Sequence, residues 1–137
     1  MFACPKVLLL SSEEEERETL ENVLSEHVAL RSVRDLSELQ AALESTDYDA
    51  LFCGWRFHSG DWNLALNQAR QQYPDLPVII FSRTGDEAEW VKVVEAGAFD
   101  LLVAPYQKRT VLPVLEHAVA SHEGRRLRNV HKSLAIR

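Results

Sequence analysis

A chain of 137 residues, 46% hydrophobic and 26% charged, can bury one ordinary core, so one domain is the natural count. The absence of any apolar run near the roughly 20 residues a bilayer demands argues against a membrane span, and the net charge is −6. MFACPK is too short for a signal peptide, so a soluble, cytoplasmic protein is expected. With only Cys4 and Cys53, a disulfide framework is not expected either, and both thiols should be reduced.

Five short apolar runs read as strands in chain order: KVLLL (6–10), HVALRSV (27–33), DALFC (49–53), PVIIFS (77–82) and FDLLV (99–103). Several are apolar on both sides of the pleat, the pattern of strands covered on both faces. Helical stripes alternate with them: Leu20, Val23 and Leu24; Leu36, Leu39, Ala42 and Leu43; Leu66, Ala69 and Tyr73; Val91 and Val94; Val111, Val114, Leu115 and Ala118. Five strand–helix alternations predict an α/β fold, a doubly wound five-stranded parallel sheet with right-handed crossovers. Ser11 or Ser12 with Glu14 or Glu15 predicts a capping box before the first helix, and Asp35 with Glu38 repeats it before the second. Gly97 closes the fourth helix.

In such a sheet, ligands gather beyond the carboxyl ends of the strands. Those ends are Ser11 and Ser12, Gly54, Ser82 and Ala104. Here KVLLLSSEEEE, YDALFCGWRFHSGDW, PDLPVIIFSRTGD and EAGAFDLLVAPY, in this order and spacing over residues 5 to about 121, resemble the receiver (CheY-like) domains of two-component response regulators. The resemblance implies the flavodoxin-like (βα)5 receiver fold with strand order 2-1-3-4-5, and a cis peptide at Ala104–Pro105. It also implies a degenerate phosphorylation pocket. The family places an acidic pair at Ser11 and Ser12 to hold a divalent cation, the phosphoacceptor aspartate at Gly54, a hydroxyl at Ser82 and a lysine at Ala104. Only Ser82 keeps its chemistry, because glycine offers no nucleophile and two serines replace carboxylates poorly as ligands of Mg²⁺.

Nearby groups offer little rescue. Glu13 is expected to serve the helix start, Asp61 to cap the third helix, and Cys53 to pack inside its strand, although a Cys53–His58 pair can be imagined. No metal-spaced cluster, phosphate loop or dinucleotide fingerprint occurs, so no cofactor, no metal and no enzyme activity are expected. Phe57 and Trp62 are read first as a roof over the vacated pocket and second as a partner site. The resemblance assigns docking or dimerisation to the fourth helix, fifth strand and fifth helix, where Trp90, Leu101 and Tyr106 are the candidates.

Charge marks one boundary. Residues 121–137 carry Arg125, Arg126, Arg128, Lys132 and Arg137 against Glu123 alone, a balance of +4, which leaves −10 on residues 1–120. An acidic body argues against nucleic acid as partner of the domain itself. In RRLRNVHKSLAIR, Leu127, Val130 and Leu134 recur at three- and four-residue spacing between bases. The chain is therefore divided into a receiver-like domain, 1–121, and a basic stretch, 122–137, expected to be a helical linker or the start of a following region, with a covalently linked output domain as the expected context. The function expected is a non-catalytic signalling module acting by protein–protein interaction or dimerisation in a transcription regulator. A small-ligand sensor using the vacated pocket is the alternative.

Overall fold

The computed structural model of the protein describes residues 4–57 and 59–135, the last stretch, 125–135, by its backbone alone. Strand and helix alternate as β1 (Lys6–Leu10), α1 (Glu14–Leu24), β2 (Ala29–Val33), α2 (Leu36–Ser45), β3 (Ala50–Gly54), α3 (Trp62–Gln72), β4 (Val78–Ser82), α4 (Glu87–Glu95), β5 (Asp100–Val103) and α5 (Lys108–Ala135). The five strands form one parallel sheet in the order β2-β1-β3-β4-β5, as expected. Between β3 and α3 the chain makes a small antiparallel ribbon, Arg56–Phe57 against Gly60–Asp61, which periodicity over so few residues does not announce.

Successive strand residues point to opposite faces and build two cores. Leu8, Leu10, Leu51, Cys53 and Ile80 pack against α2, α3 and Val93 of α4, while Val7, Leu9, Phe52, Ile79 and Phe81 pack against α1 and α5. Each fully buried Leu, Ile or Phe contributes about 1.5–3 kcal/mol, so the continuous apolar runs of β3 and β4 belong at the centre of the sheet. The edge strand β2 alternates in exposure.

Helix boundaries follow polar side chains in three cases. Asp35 accepts from the Glu38 amide at 2.9 Å, Asp61 from the amides of Asn63 and Leu64, and Asp86 from that of Glu89 at 2.8 Å. The capping box predicted at Ser11 or Ser12 does not form. The amide of Ser11 instead extends the β1 ladder to the Val33 carbonyl, and the N-cap falls two residues later at Glu13, with no side-chain cap, so that α1 begins at Glu14. The α4 stripe is also shifted in phase: Val93 faces the sheet and Val91 faces outward, because VKVV offers apolar side chains for two helical registers. Gly97 ends α4 at φ +107°, the left-handed region that a side chain strains.

Candidate functional site

The carboxyl ends of β1, β3, β4 and β5 bring Ser11, Ser12, Gly54, Ser82 and Ala104 to one edge of the sheet. Ser11 is buried, and its hydroxyl both donates to the Glu13 carbonyl (3.2 Å) and accepts from the Glu13 amide (3.3 Å). Ser12 is exposed. The Ser82 hydroxyl donates to the Thr84 carbonyl across 2.6 Å, and the Ala104 amide donates to the Ser82 carbonyl. The Ala104–Pro105 bond is cis, as the resemblance implied.

What fills the space beside Gly54 is an aromatic ring. A Cβ at position 54 would stand 3.4 Å from Phe81 Cε2 and 3.5 Å from Cζ, ordinary van der Waals contact. Tyr106 meets the Phe81 ring edge-on, with centroids 5.7 Å apart and planes at 81°. Its hydroxyl donates to Glu16 Oε2 at 2.6 Å, tying the loop after β5 to the first turn of α1. A second tie runs from Arg83, after β4, to Glu13 as an ion pair. Partial burial pushes the Glu16 carboxyl up against the pull of the Tyr106 hydrogen bond, while burial and the neighbouring carboxylate push the Tyr106 phenol up. Beside these ties an open cleft of about 450 Å³ lies between Glu15 and Thr19 of α1 and the Arg83 and Pro105 loops.

The donor set does not suit the hard divalent cation that the resemblance implies. Ser11 spends its hydroxyl on the Glu13 backbone, Glu13 its carboxylate on Arg83, and Gly54 has no side chain. Among the described residues, no group of three or more His, Cys, Asp or Glu stands together as a metal would need. Cys53 is fully buried with Sγ 3.4 Å from the Gly54 carbonyl, and burial pushes its thiol up, the reverse of what a nucleophile requires. His58 lies outside the described residues.

The aromatics of the 55–62 loop serve as core. Phe57 and Trp62 are buried, and Trp55 tilts against Trp62 at 5.7 Å. On the α4–β5 face, only one of the three nominated side chains is open: Trp90 is 46% exposed, its indole NH donating to Asp100 Oδ1 at 3.1 Å. Leu101 and Tyr106 are each only 8% exposed, which corrects their reading as surface candidates. Leu101 packs in the core beneath Gly85, and Tyr106 turns inward because Phe81 and Glu16 offer both an apolar contact and an acceptor. Val91, read from periodicity as part of the buried α4 stripe, and Val103 are 38% and 40% exposed. Val103, as the last residue of an edge strand, carried a positional signal for exposure. Glu16 and Arg83 were also missed. Nothing in their spacing shows that loops after different strands meet.

Residues 7–116 match the family model of the response regulator receiver domain. The chain is 33% identical over 87 residues to the DNA-binding transcriptional regulator NtrC of Salmonella typhimurium (64% of this chain, 19% of that protein), and 29% identical over 100 residues to NtrC of Proteus hauseri (73% and 21%). It therefore spans about a fifth of the length of these curated relatives. Its fold is that of the signal receiver domain of an HD domain-containing protein from Pseudomonas fluorescens Pf-5 (TM-score 0.83, 24% identity, 93% of this chain and 96% of that one). NtrX from Brucella abortus superposes equally well (TM-score 0.83, 22% identity, 92% and 30%).

Proposed function

The chain belongs to the response regulator receiver domain family, and from that premise we propose that it is a pseudo-receiver: a non-catalytic protein-interaction module that works without aspartyl phosphorylation. The observation that carries this reading is Gly54, which ends β3 with no side chain and has the Phe81 ring beside it. Phosphoryl transfer to this edge would require a carboxylate nucleophile, a cation to neutralise the transferring group and a cationic side chain opposite. Gly54, the paired serines and Ala104 supply none of these.

Signalling then rests on binding, because a partner shifts a conformational equilibrium only through unequal affinity for its states. The proposed surface is α4, β5 and α5, taking a protein partner or a second copy, with Trp90 as its anchor and the exposed Val91 and Val103 beside it. The basic stretch 122–137 is proposed as the linker to a covalently attached output domain, in keeping with relatives several times longer and described as DNA-binding transcriptional regulators. The proposed location is the cytoplasm; no helix among the described residues is long and apolar enough to cross a membrane.

The alternative, a small-ligand sensor using the vacated pocket, draws on the open cleft lined by Glu15, Arg83, Ala104 and Pro105, of which Ala104 belongs to that pocket. Mg²⁺ titration followed by tryptophan fluorescence tests the main reading. No saturable response is expected, and micromolar binding overturns it. Thermal-shift measurements with metabolite mixtures test the alternative, since a ligand selective for the folded state raises its stability.

A further inference from the structure

At the edge of the sheet opposite Gly54, a buried histidine meets a carboxylate without bonding to it. His122, 9% exposed, is the last buried residue among the described side chains of α5, and its Nδ1 stands 3.4 Å from Asp49 Oδ1. That nitrogen is closed to solvent and has no hydrogen-bond partner. Asp49 is a fixed point. Just before β3, it accepts from the Lys6 amide on Oδ2 at 2.8 Å, and its own amide donates to the Lys6 carbonyl at 2.7 Å. Beside the pair lies an open hollow of about 200 Å³, lined by Asp47, Tyr48, Tyr73, Asp75 and His122. Two residues on, a Cβ at Gly124 would meet nothing within 4 Å, yet α5 continues to Ala135. His122 therefore marks the point where the helix leaves the domain.

We propose that His122 and Asp49 form a proton-operated latch at the root of the extended helix. A neutral imidazole gains little from a carboxylate it meets without hydrogen-bond geometry, and its unsatisfied Nδ1 weighs against the docked position. An imidazolium attracts Asp49 whatever the angle, and so clamps the last buried turn of α5 to the start of β3. Histidine is the side chain that gains or loses charge near neutrality. The charges around the ring set the direction. Asp47 and Asp75 line the hollow with it, and Lys6 turns its ammonium to Thr46. On its own helix the preceding turn offers Ala118 and Val119, and the sequence continues with Glu123, Arg125 and Arg126. Burial and the two arginines oppose an imidazolium, but Asp49 already stands within ion-pair range, where attraction is steepest. Proton uptake and docking therefore favour each other, so the latch closes as pH falls and opens as it rises. Once it is open, Gly124, a poor helix former, lets the extension fray back to the domain. Neither Trp90 nor the Gly54 edge takes part, so the latch and the pseudo-receiver reading fail independently.

The test is nitrogen-15 NMR of the whole 137-residue chain, following the His122 ring together with hydrogen exchange of the amides after it. Between about pH 8 and about pH 5 the ring should gain its second N–H proton, and amide protection after His122, corrected for the intrinsic rate, should rise about five-fold or more. Asp49→Asn keeps an acceptor for the Lys6 amide but removes the charge, and it should abolish the rise. His122→Asn should abolish it too, which assigns the effect to His122 rather than to His117 or His131 on the same helix. Should His122→Asn fail to fold, the wild-type titration and Asp49→Asn decide. A ring that stays neutral throughout, protection equal at both ends of the range, or a rise that survives Asp49→Asn would each overturn the proposal.

Discussion

The phenol of Tyr106 and the carboxylate of Glu16, ninety residues apart in sequence, meet across 2.6 Å and hold the β5–α5 loop against the first turn of α1. Replacing Tyr106 with Phe keeps the edge-on ring contact but removes the donor. Glu16 is then left half-buried and without that bond, at an expected cost of about 1 kcal/mol in urea unfolding.

The same carboxylate makes stability depend on pH. Burial raises the Glu16 pKa in the folded state, so the folded protein holds that proton more tightly than the unfolded chain. Its contribution is greatest below the ordinary carboxylate value and is lost as pH rises through the raised one. Glu16→Gln, which keeps an acceptor without the charge, should remove this component, seen as a flatter dependence of the urea midpoint on pH above 4.5.

Position 54 should tolerate volume better than charge. Gly54→Ala places a methyl group in ordinary contact with Phe81 and should change stability by no more than about 1 kcal/mol. Gly54→Asp puts a carboxylate beside that ring with no cation to meet it. It should cost about 2 kcal/mol or more at pH 8, with partial recovery at pH 5, measured by urea unfolding at both.

Trp90 and Tyr106, equal candidates by sequence, should separate on mutation. Trp90→Ala removes a half-exposed ring and should change stability by less than about 1 kcal/mol, whereas Tyr106→Ala empties a buried site and should cost about 3 kcal/mol or more. Thermal and urea unfolding of both variants check this.

Gly97→Ala forces a side chain into φ +107° and into the place taken by the Arg70 guanidinium. The guanidinium can move aside, but the backbone strain stays, and a loss of about 1–2 kcal/mol is expected on urea unfolding.

The pattern of these positions shows how far the sequence could be read. The strands and their end positions followed from apolar runs and their alternation with helical stripes, because burial on both faces leaves a signal in every residue of β3 and β4, whereas the strand order came from the family resemblance. The caps at Asp35 and Asp61 were legible because an N-cap is a local device. The start of α1 was not, since Ser11 answers to the Val33 carbonyl of a neighbouring strand. Tyr106 was misjudged for the same reason: its inward turn depends on Glu16 and Phe81, which the fold alone brings to it. The Arg83–Glu13 tie likewise joins loops after different strands. Local chemistry could be read from local sequence, whereas contacts that join one strand end to another had to wait for the fold.

The most direct test of the central claim is intact-mass spectrometry of the folded protein after incubation with acetyl phosphate and Mg²⁺. With Gly54 at the end of β3, serines at positions 11 and 12, and Ala104 opposite, the mass should remain that of the unmodified chain. A phosphoryl adduct formed on the folded domain, retained on denaturation but removed by hydroxylamine as an acyl phosphate would be, would contradict the account.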